Sequence, residues 1–226
     1  MQTWLSWSTG KDSAWSLHVL RSMPGIEVTG LFTTLNVAFD RVAMHAVRRA
    51  LLEMQADAAG LPLHVIDIPH PCTNADYERA MSAFITKARA HSLEAMAFGD
   101  LFLADIRAYR EARLAETGIM PLFPLWLRDT HALACEMIGS GLVAHLTCVD
   151  PTRLPRSFAG RRFNAQLLAD LPPGIDPCGE NGEFHTCVSA GPMFRYPLDV
   201  SVGEIVERDG FVFADLIPAV LANEVA

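Results

Sequence analysis

The sequence predicts an α/β fold, a mainly parallel, doubly wound sheet with a smaller C-terminal α+β subdomain. Three observations predict it. Over the first two thirds, β-rich apolar runs alternate with helix-like patterns at intervals of about 25–30 residues, which signals βαβ units and a parallel sheet. Notable clusters at 8–13, 34–36 and 99–100 each follow a strand-like run, where such sheets hold ligands, beyond the C-terminal strand ends. From about residue 150, Pro151, Pro155, Pro172, Pro173 and Pro177 break that rhythm. We therefore expect a larger unit over 1–150 and a subdomain over 151–226 packed on its sheet.

Taken in order, residues 3–7 read as a strand and 12–21 as a helix with Trp15 and 17–20 turned inward. Residues 28–33 are a second strand. Asp40 can N-cap a helix over 41–59, where Val42, His45–Ala46, Leu51 and Met54 follow a 3.6 period and Gly60 stops it. Residues 63–68 form a third strand. Thr73 and Asp76 have capping-box spacing ahead of a helix over 76–90. A fourth strand, 95–98, ends at Gly99-Asp100, and 103–116 is helical up to Gly118. Residues 122–125, a helix over 130–138 and a strand over 142–148 continue the pattern. A short helix near 161–170 follows, then two strand-like runs, 195–206 and 211–216, joined by the hairpin turn Arg208-Asp209-Gly210.

Composition narrows the function classes. Half of the 226 residues are hydrophobic and 19% are charged, which demands a packed core. A net charge of −8 argues against a nonspecific nucleic-acid binder, which needs clustered Lys and Arg, without excluding a locally basic pocket. No apolar run approaches the roughly 18–20 residues that span a bilayer, and the N-terminus lacks the basic and apolar regions of a signal peptide. Five scattered cysteines, an odd number, fit free thiols in a reducing compartment. The chain reads as soluble and cytoplasmic.

The stretch Ser8-Thr9-Gly10-Lys11-Asp12-Ser13 is neither a Walker A loop nor G-x-G-x-x-G. Its physics is still that of an anion nest: Gly10 lets the backbone turn, N–H groups converge, and a helix N-terminus follows. Ser8 and Ser13 add hydroxyls, Lys11 a mobile cation, and Asp12 either a Mg²⁺ ligand or the helix cap. The plain alternative is a polar turn with a good N-cap, and position after the first strand decides against it. The loop resembles the S-G-G-x-D-S pyrophosphate loop of the N-type ATP pyrophosphatases. That resemblance implies a HUP or Rossmann-like fold that binds ATP, cleaves it to AMP and pyrophosphate, and activates an oxygen by adenylation. Thr9 departs from the pattern, which has glycine there; at φ > 0 a β-branched residue fits poorly.

A second segment, "CGENGEFHT" over 178–186, carries Gly179 and Gly182 for close backbone approach, Glu180 and Glu183 to bind a metal or amine, and His185 to relay a proton near neutral pH. Against this, Cys178, His185 and Cys187 could suggest zinc, but no C-x-x-C partners them; His185 could be a core histidine, and Cys187 a small buried residue. The segment resembles the G-E-x-G-E-[FY]-x-T element of the diphthine–ammonia ligase family, a branch of the same pyrophosphatases. Gly99-Asp100 and "PLWLRDT" (124–130) match it too, so the resemblance runs from residue 3 to about 194. Family members that make diphthamide carry Glu-Tyr-Glu-Thr where this chain has Glu183-Phe184-His185-Thr186; the Phe-His version resembles a bacterial branch with a different acyl or amine substrate.

Other charged groups have bland readings. Arg107, Arg110 and Arg113 share a helix face, either solvated beside Glu111 and Glu116 or, through Arg107 or Arg110, reaching an anion. Asp129 caps a helix beside Arg128. Arg153, Arg156, Arg161 and Arg162 form a basic cluster that could be a lid or docking surface. Trp4, Trp7 and Trp15 read as core.

The expectation is an AMP-forming amide ligase. ATP and Mg²⁺ bind with the β and γ phosphates on Ser8, Thr9, Gly10, Lys11, Asp12 and Ser13, Asp12 holding the metal, and adenine near 31–34. Asp100, Glu180, Glu183 and His185 are the catalytic candidates, and Gly99, Asn181 and Thr186 bind substrate. The partners implied are a small-molecule or modified-protein carboxylate and ammonia or an amine, with no membrane, the composition arguing against nucleic acid, and a homodimer allowed. The rivals are a nucleotide-binding sensor without ligase activity, and a sulfur-transfer relative acting on a nucleobase, which would need a cysteine pair.

Overall fold

The computed structural model describes residues 1–42 and 47–219. Its first sheet contains β1 (Gln2–Ser6), β2 (Glu27–Asn36), β4 (Leu63–Ile68), β5 (Ala95–Ala97) and β6 (Met120–Leu122), all parallel, in the order β4-β2-β1-β5-β6. A two-residue strand, β3 (Arg41–Val42), runs antiparallel to the end of β2. Because β4 takes the other edge of β2 at the same residues, β3 lies on the β1 side, past the end of β1. The strand order reverses between β1 and β5, and a crevice opens there at the C-terminal ends.

Helices α1 (Lys11–Ser22), α2 (Arg49–Ala59), α3 (Asn74–Ala90), α4 (Ala104–Leu114) and α5 (Thr130–Gly139) accompany these strands. Alternation along β1 divides the core. Trp4 points to one layer, with Phe32, Ile66, Met96, Phe84 of α3 and Leu114 of α4. Leu5 and Trp7 point to the other, with Trp15, Leu17 and Leu20 of α1 and Leu51 and Leu52 of α2. Each fully buried Leu here contributes about 1.5–3 kcal/mol by leaving water.

The second sheet is antiparallel, in the order β8-β7-β10-β9, built from β7 (Val143–Val149), β8 (Phe184–Ala190), β9 (Val200–Arg208) and β10 (Phe211–Pro218). A short helix, α6 (Ala165–Asp170), lies between β7 and β8. The larger core layer continues without a break into this sheet through Leu146, Val149, Phe184, Val188 and Leu216. Val188 N donates to Thr9 O at 3.0 Å, so β8 is fastened to the loop after β1.

Several local signals act as expected. Thr73 and Asp76 form the reciprocal capping box, Gly60 closes α2 at φ 68°, and Asp209 and Gly210 both adopt positive φ (53° and 81°), as a two-residue type I′ hairpin requires.

Others do not. The helix expected over 41–59 begins only at Arg49, with Arg48 as N-cap; His45–Ala46 lie outside the described residues. Asp40 caps nothing. It turns at φ 49° into the β2–β3 hairpin, where pairing Leu35 with Val42 buries Val42 in the core. The run at 122–125 pairs two residues earlier, because Met120–Leu122 match Ala95–Ala97, and Pro121 is tolerated on that edge strand. The strand over 142–148 does not extend the parallel series, since β7 pairs antiparallel with β8 and β10. The expected helix over 161–170 shortens to α6, and the expected strand over 195–206 becomes β9.

Candidate active site

The crevice at the strand reversal is a cavity of about 810 Å³, within the range that holds a nucleotide-sized ligand. Loop 8–13 forms one wall, Gly99 and Asp100 the floor, and the Cys178–Thr186 segment the opposite wall, while Thr34, Ile68 and Tyr77 line one end. These pieces are contributed by six separate stretches of chain.

Loop 8–13 is wired internally. Ser13 Oγ donates to Gly10 O (3.0 Å) and accepts from Ser8 N (3.3 Å); Ser8 Oγ lies 3.2 Å from it and accepts from Gly10 N (3.4 Å). Thr9 sits at φ 72°, the left-handed region that disfavours a β-branched residue. It is fully buried beside the Cys187 thiol, and its hydroxyl makes no regular hydrogen bond. A second clamp holds this strained residue. Gln55, on the apolar face of α2, donates from Nε2 to Thr9 O (3.1 Å) and Val188 O (2.6 Å), and accepts from Trp7 Nε1 (2.8 Å). Our sequence reading missed Gln55, although a lone polar residue among Leu51, Leu52, Ala56 and Ala59 was the available signal. Gly99 is required for space: a Cβ there would stand 3.0 Å from Asp12 C and Ser13 N.

Lys11 is not the mobile cation expected. Its side chain is 2% exposed, its ammonium donates to Cys178 O and to Asp12 (2.8 Å), and the rings of Phe163 and Phe184 flank it at 5.7 and 5.5 Å. Burial opposes its charge, but Asp12, Cys178 and Glu180 outweigh that and hold its pKa above the ordinary lysine value. Its backbone N–H donates to Thr186 Oγ1 (3.1 Å), so Lys11 joins both walls of the crevice. Asp12 does not cap α1, since Gly10 is the N-cap. Its Oδ1 is buried without a hydrogen-bond partner.

Glu180 accepts from Leu101 N at 2.7 Å across the crevice, and burial pushes its pKa up to about 7. Its own N–H donates to Asp176 Oδ2 (2.8 Å), a residue we had not singled out. Glu183 is fully buried and turned away from the crevice. Its Oε1 accepts from Asp176 N (3.2 Å), Asn181 Nδ2 (3.1 Å) and Arg153 (3.1 Å), so it anchors the 176–183 turn. His185 lines the crevice, but burial and then the Lys11 charge lower its pKa to about 4. It is therefore a neutral imidazole at pH 7, not the near-neutral relay expected.

Asp100 holds Arg110 in a two-point ion pair (2.6 and 3.1 Å), with the guanidinium 4.4 Å from the Phe98 ring centroid. Arg107 pairs with Glu111, and Arg113 with Glu78 rather than Glu116. Arg153, Arg156 and Arg161 pair with Glu183, Glu207 and Asp170, which disperses the expected basic cluster. Trp4, Trp7 and Trp15 are core. All five cysteines are free, and burial raises the thiols of Cys148 and Cys187 to about 12, far from the thiolate that sulfur transfer needs.

The crevice thus presents the carboxylates of Asp12, Asp100 and Glu180 against the cations Lys11 and Arg110, both already paired. A polyphosphate entering it needs added positive charge. The unpartnered Asp12 Oδ1 suits Mg²⁺, which keeps several waters and takes one or two carboxylates plus substrate phosphates. Among the described residues no group of three or more His, Cys, Asp or Glu could hold a metal by itself.

Comparison with known proteins is consistent along the chain. A model of the diphthamide synthase N-terminal domain matches residues 1–121, and one of the diphthamide synthase C-terminal domain matches 129–215. A diphthine–ammonia ligase of Danio rerio is 28% identical over 77% of this chain and 74% of its own length. That of Homo sapiens is 24% identical over 78% of this chain and 70% of its own. That of Schizosaccharomyces pombe is 26% identical over 89% of this chain, which spans only 36% of that larger protein.

Proposed function

The chain belongs to the diphthamide synthase family, and from that premise we propose that it is an ATP-dependent, AMP-forming C–N ligase. It adenylates a carboxylate and transfers ammonia or an amine to it. The observation that carries this reading is the joining of the two motifs, ~170 residues apart, across one crevice: Lys11 N to Thr186, Lys11 Nζ to Cys178 O, and Leu101 N to Glu180.

In this reading Ser8–Ser13 holds the β and γ phosphates, and adenine lies at the end lined by Thr34, Ile68 and Tyr77. Asp12, with its unpartnered Oδ1, would hold Mg²⁺, which would supply positive charge against that of the departing pyrophosphate. The α phosphate faces Gly99 and Asp100, where the substrate carboxylate attacks to give acyl-adenylate and pyrophosphate. Glu180, poised near pH 7, takes the proton of the incoming ammonium or amine as it displaces AMP. His185 contributes a neutral hydrogen bond, and Glu183 acts by holding Asn181 and the turn in place. The rest of the acceleration comes from positioning and preorganised charge.

The carboxylate is a small molecule or is carried on a modified protein, as in the relatives named for diphthine and ammonia. Residues 1–150 carry the nucleotide loop, and 151–226 complete the crevice and contribute to the acyl site. The protein works in the cytoplasm; no helix among the described residues is long and apolar enough to cross a membrane. Incubation with labelled ATP, Mg²⁺, ammonia and candidate carboxylates should yield AMP and pyrophosphate only when the carboxylate is present. ADP as product, or no turnover with any metabolite pool, refutes the reading.

A further inference from the structure

His185 faces two cavities. On one side is the crevice; on the other is a separate chamber of about 240 Å³ between the β2–β3 hairpin and the β9–β10 turn. We propose that this chamber binds the body of the acyl substrate, and that the substrate is a compact apolar or aromatic group carrying a second anion besides the reacting carboxylate.

The chamber's size sets the first limit. It lies below the range for whole drug-sized ligands, so it takes part of a molecule whose remainder extends past His185 into the crevice. Its lining sets the second. Phe39, Phe211 and Phe213 supply aromatic surface, and Val42 and the inert thiol of Cys148 close the inner end. Flat apolar groups pack well against such rings.

The charge at the mouth sets the third. Arg208 stands 5.6 Å from the Phe39 ring centroid and 5.1 Å from that of Phe213, half exposed, and among the described residues its ion-pair partner is the largely exposed Asp209 at 3.5 Å. A guanidinium stacked on rings is weakly hydrated and keeps its in-plane N–H donors for a carboxylate or phosphate. Arg41 adds positive potential from the hairpin side, steadied by Asp215 at 3.0 Å. Two guanidiniums beside an aromatic lining repel an ammonium and favour an anion. The position of His185 then places the anion-bearing body in the chamber and the reacting carboxylate in the crevice.

This identification of the occupant rests on the ligase reading, but its test reads binding and needs no turnover. The probe is 3-phenylpropionate, with phenethylamine as its cationic counterpart, titrated by NMR into ¹⁵N-labelled protein. Expected are saturable shifts at His185, Arg208 and Phe213 with 3-phenylpropionate and none with phenethylamine. Arg208→Ala should weaken 3-phenylpropionate binding at least tenfold, and Asp209→Asn should strengthen it, since the one removes an anion receptor and the other a competing carboxylate. Both variants should melt like the parent and bind ATP as it does. No saturable shift, equal response to phenethylamine, or indifference to Arg208→Ala overturns the proposal. Failure to bind ATP while the chamber behaves as expected would count against the ligase reading instead.

Discussion

Replacing Glu180 by Gln should make the ligand-free protein more stable at alkaline pH and a slower ligase. The carboxyl is raised from 4.5 to about 7, chiefly by burial, so folding favours its protonated form. Between those values the unfolded chain has released the proton and the folded chain has not. The unfolded state binds fewer protons, and stability falls as pH rises through this window. The difference between 4.5 and about 7, at about 1.36 kcal/mol per tenfold change in proton affinity, caps the loss at about 3.4 kcal/mol above pH 7. Gln cannot ionise, and its side-chain oxygen still accepts from Leu101 N in the place of the carboxylate at 2.7 Å. The expected gain is therefore about 2–3 kcal/mol at pH 8.5, under about 1 kcal/mol at pH 5 and close to zero at about pH 3.5. Urea unfolding of both proteins across that range measures it; in thermal melts it amounts to roughly 2–4 °C per kcal/mol for a chain of this size. A stability difference that is flat with pH, or that grows toward acid, refutes the argument that Glu180 is a carboxyl held near neutral pH by burial.

The same group should set the activity profile. AMP formation should rise with pH through about 7, retain that inflection in His185→Gln because His185 titrates near 4, and lose it in Glu180→Gln; loss of the inflection in His185→Gln would reverse the assignment. Lys11→Ala strands a buried Asp12 charge and the Cys178 carbonyl, and should cost about 3–5 kcal/mol in urea unfolding along with ATP binding. A parent-like unfolding midpoint would mean that Lys11 is not the tie described. Gln55→Leu leaves Trp7 Nε1 and Val188 O without their partner, about 1–3 kcal/mol each. Because it frees the Thr9 carbonyl from one of its two donors, KM for ATP should rise more than kcat falls; an unchanged KM would show that loop geometry does not depend on the clamp.

Signals confined to a few neighbouring residues were legible in the sequence. Thr73 with Asp76, Gly60 after α2, and Asp209-Gly210 each fix their own backbone with groups that are adjacent in the chain. The alternation of strands and helices gave the parallel sheet, and it placed loop 8–13 and Gly99 at strand ends. The helix wrongly extended to residue 41 shows the limit. A 3.6-residue spacing at Val42 was outweighed by pairing with Leu35 on a strand already ordered by its neighbours.

At the site, sequence by itself determined which residue types meet phosphate and which glycines let backbone approach, because those are properties of a residue and its immediate neighbours. It could not decide what burial does to charge. Lys11, His185 and Glu180 are ordinary letters in two short motifs. Only burial, which for Lys11 comes with the flanking rings of Phe163 and Phe184, turns the first into an internal tie, the second into a neutral imidazole and the third into a base near pH 7. Gln55 gains its role in the same way, through partners up to 133 residues distant, whereas Asp176 acts within its own turn on Glu180 and Glu183. Desolvation and hydrogen bonding depend on what lies within a few ångströms in space, and only the folded chain sets that.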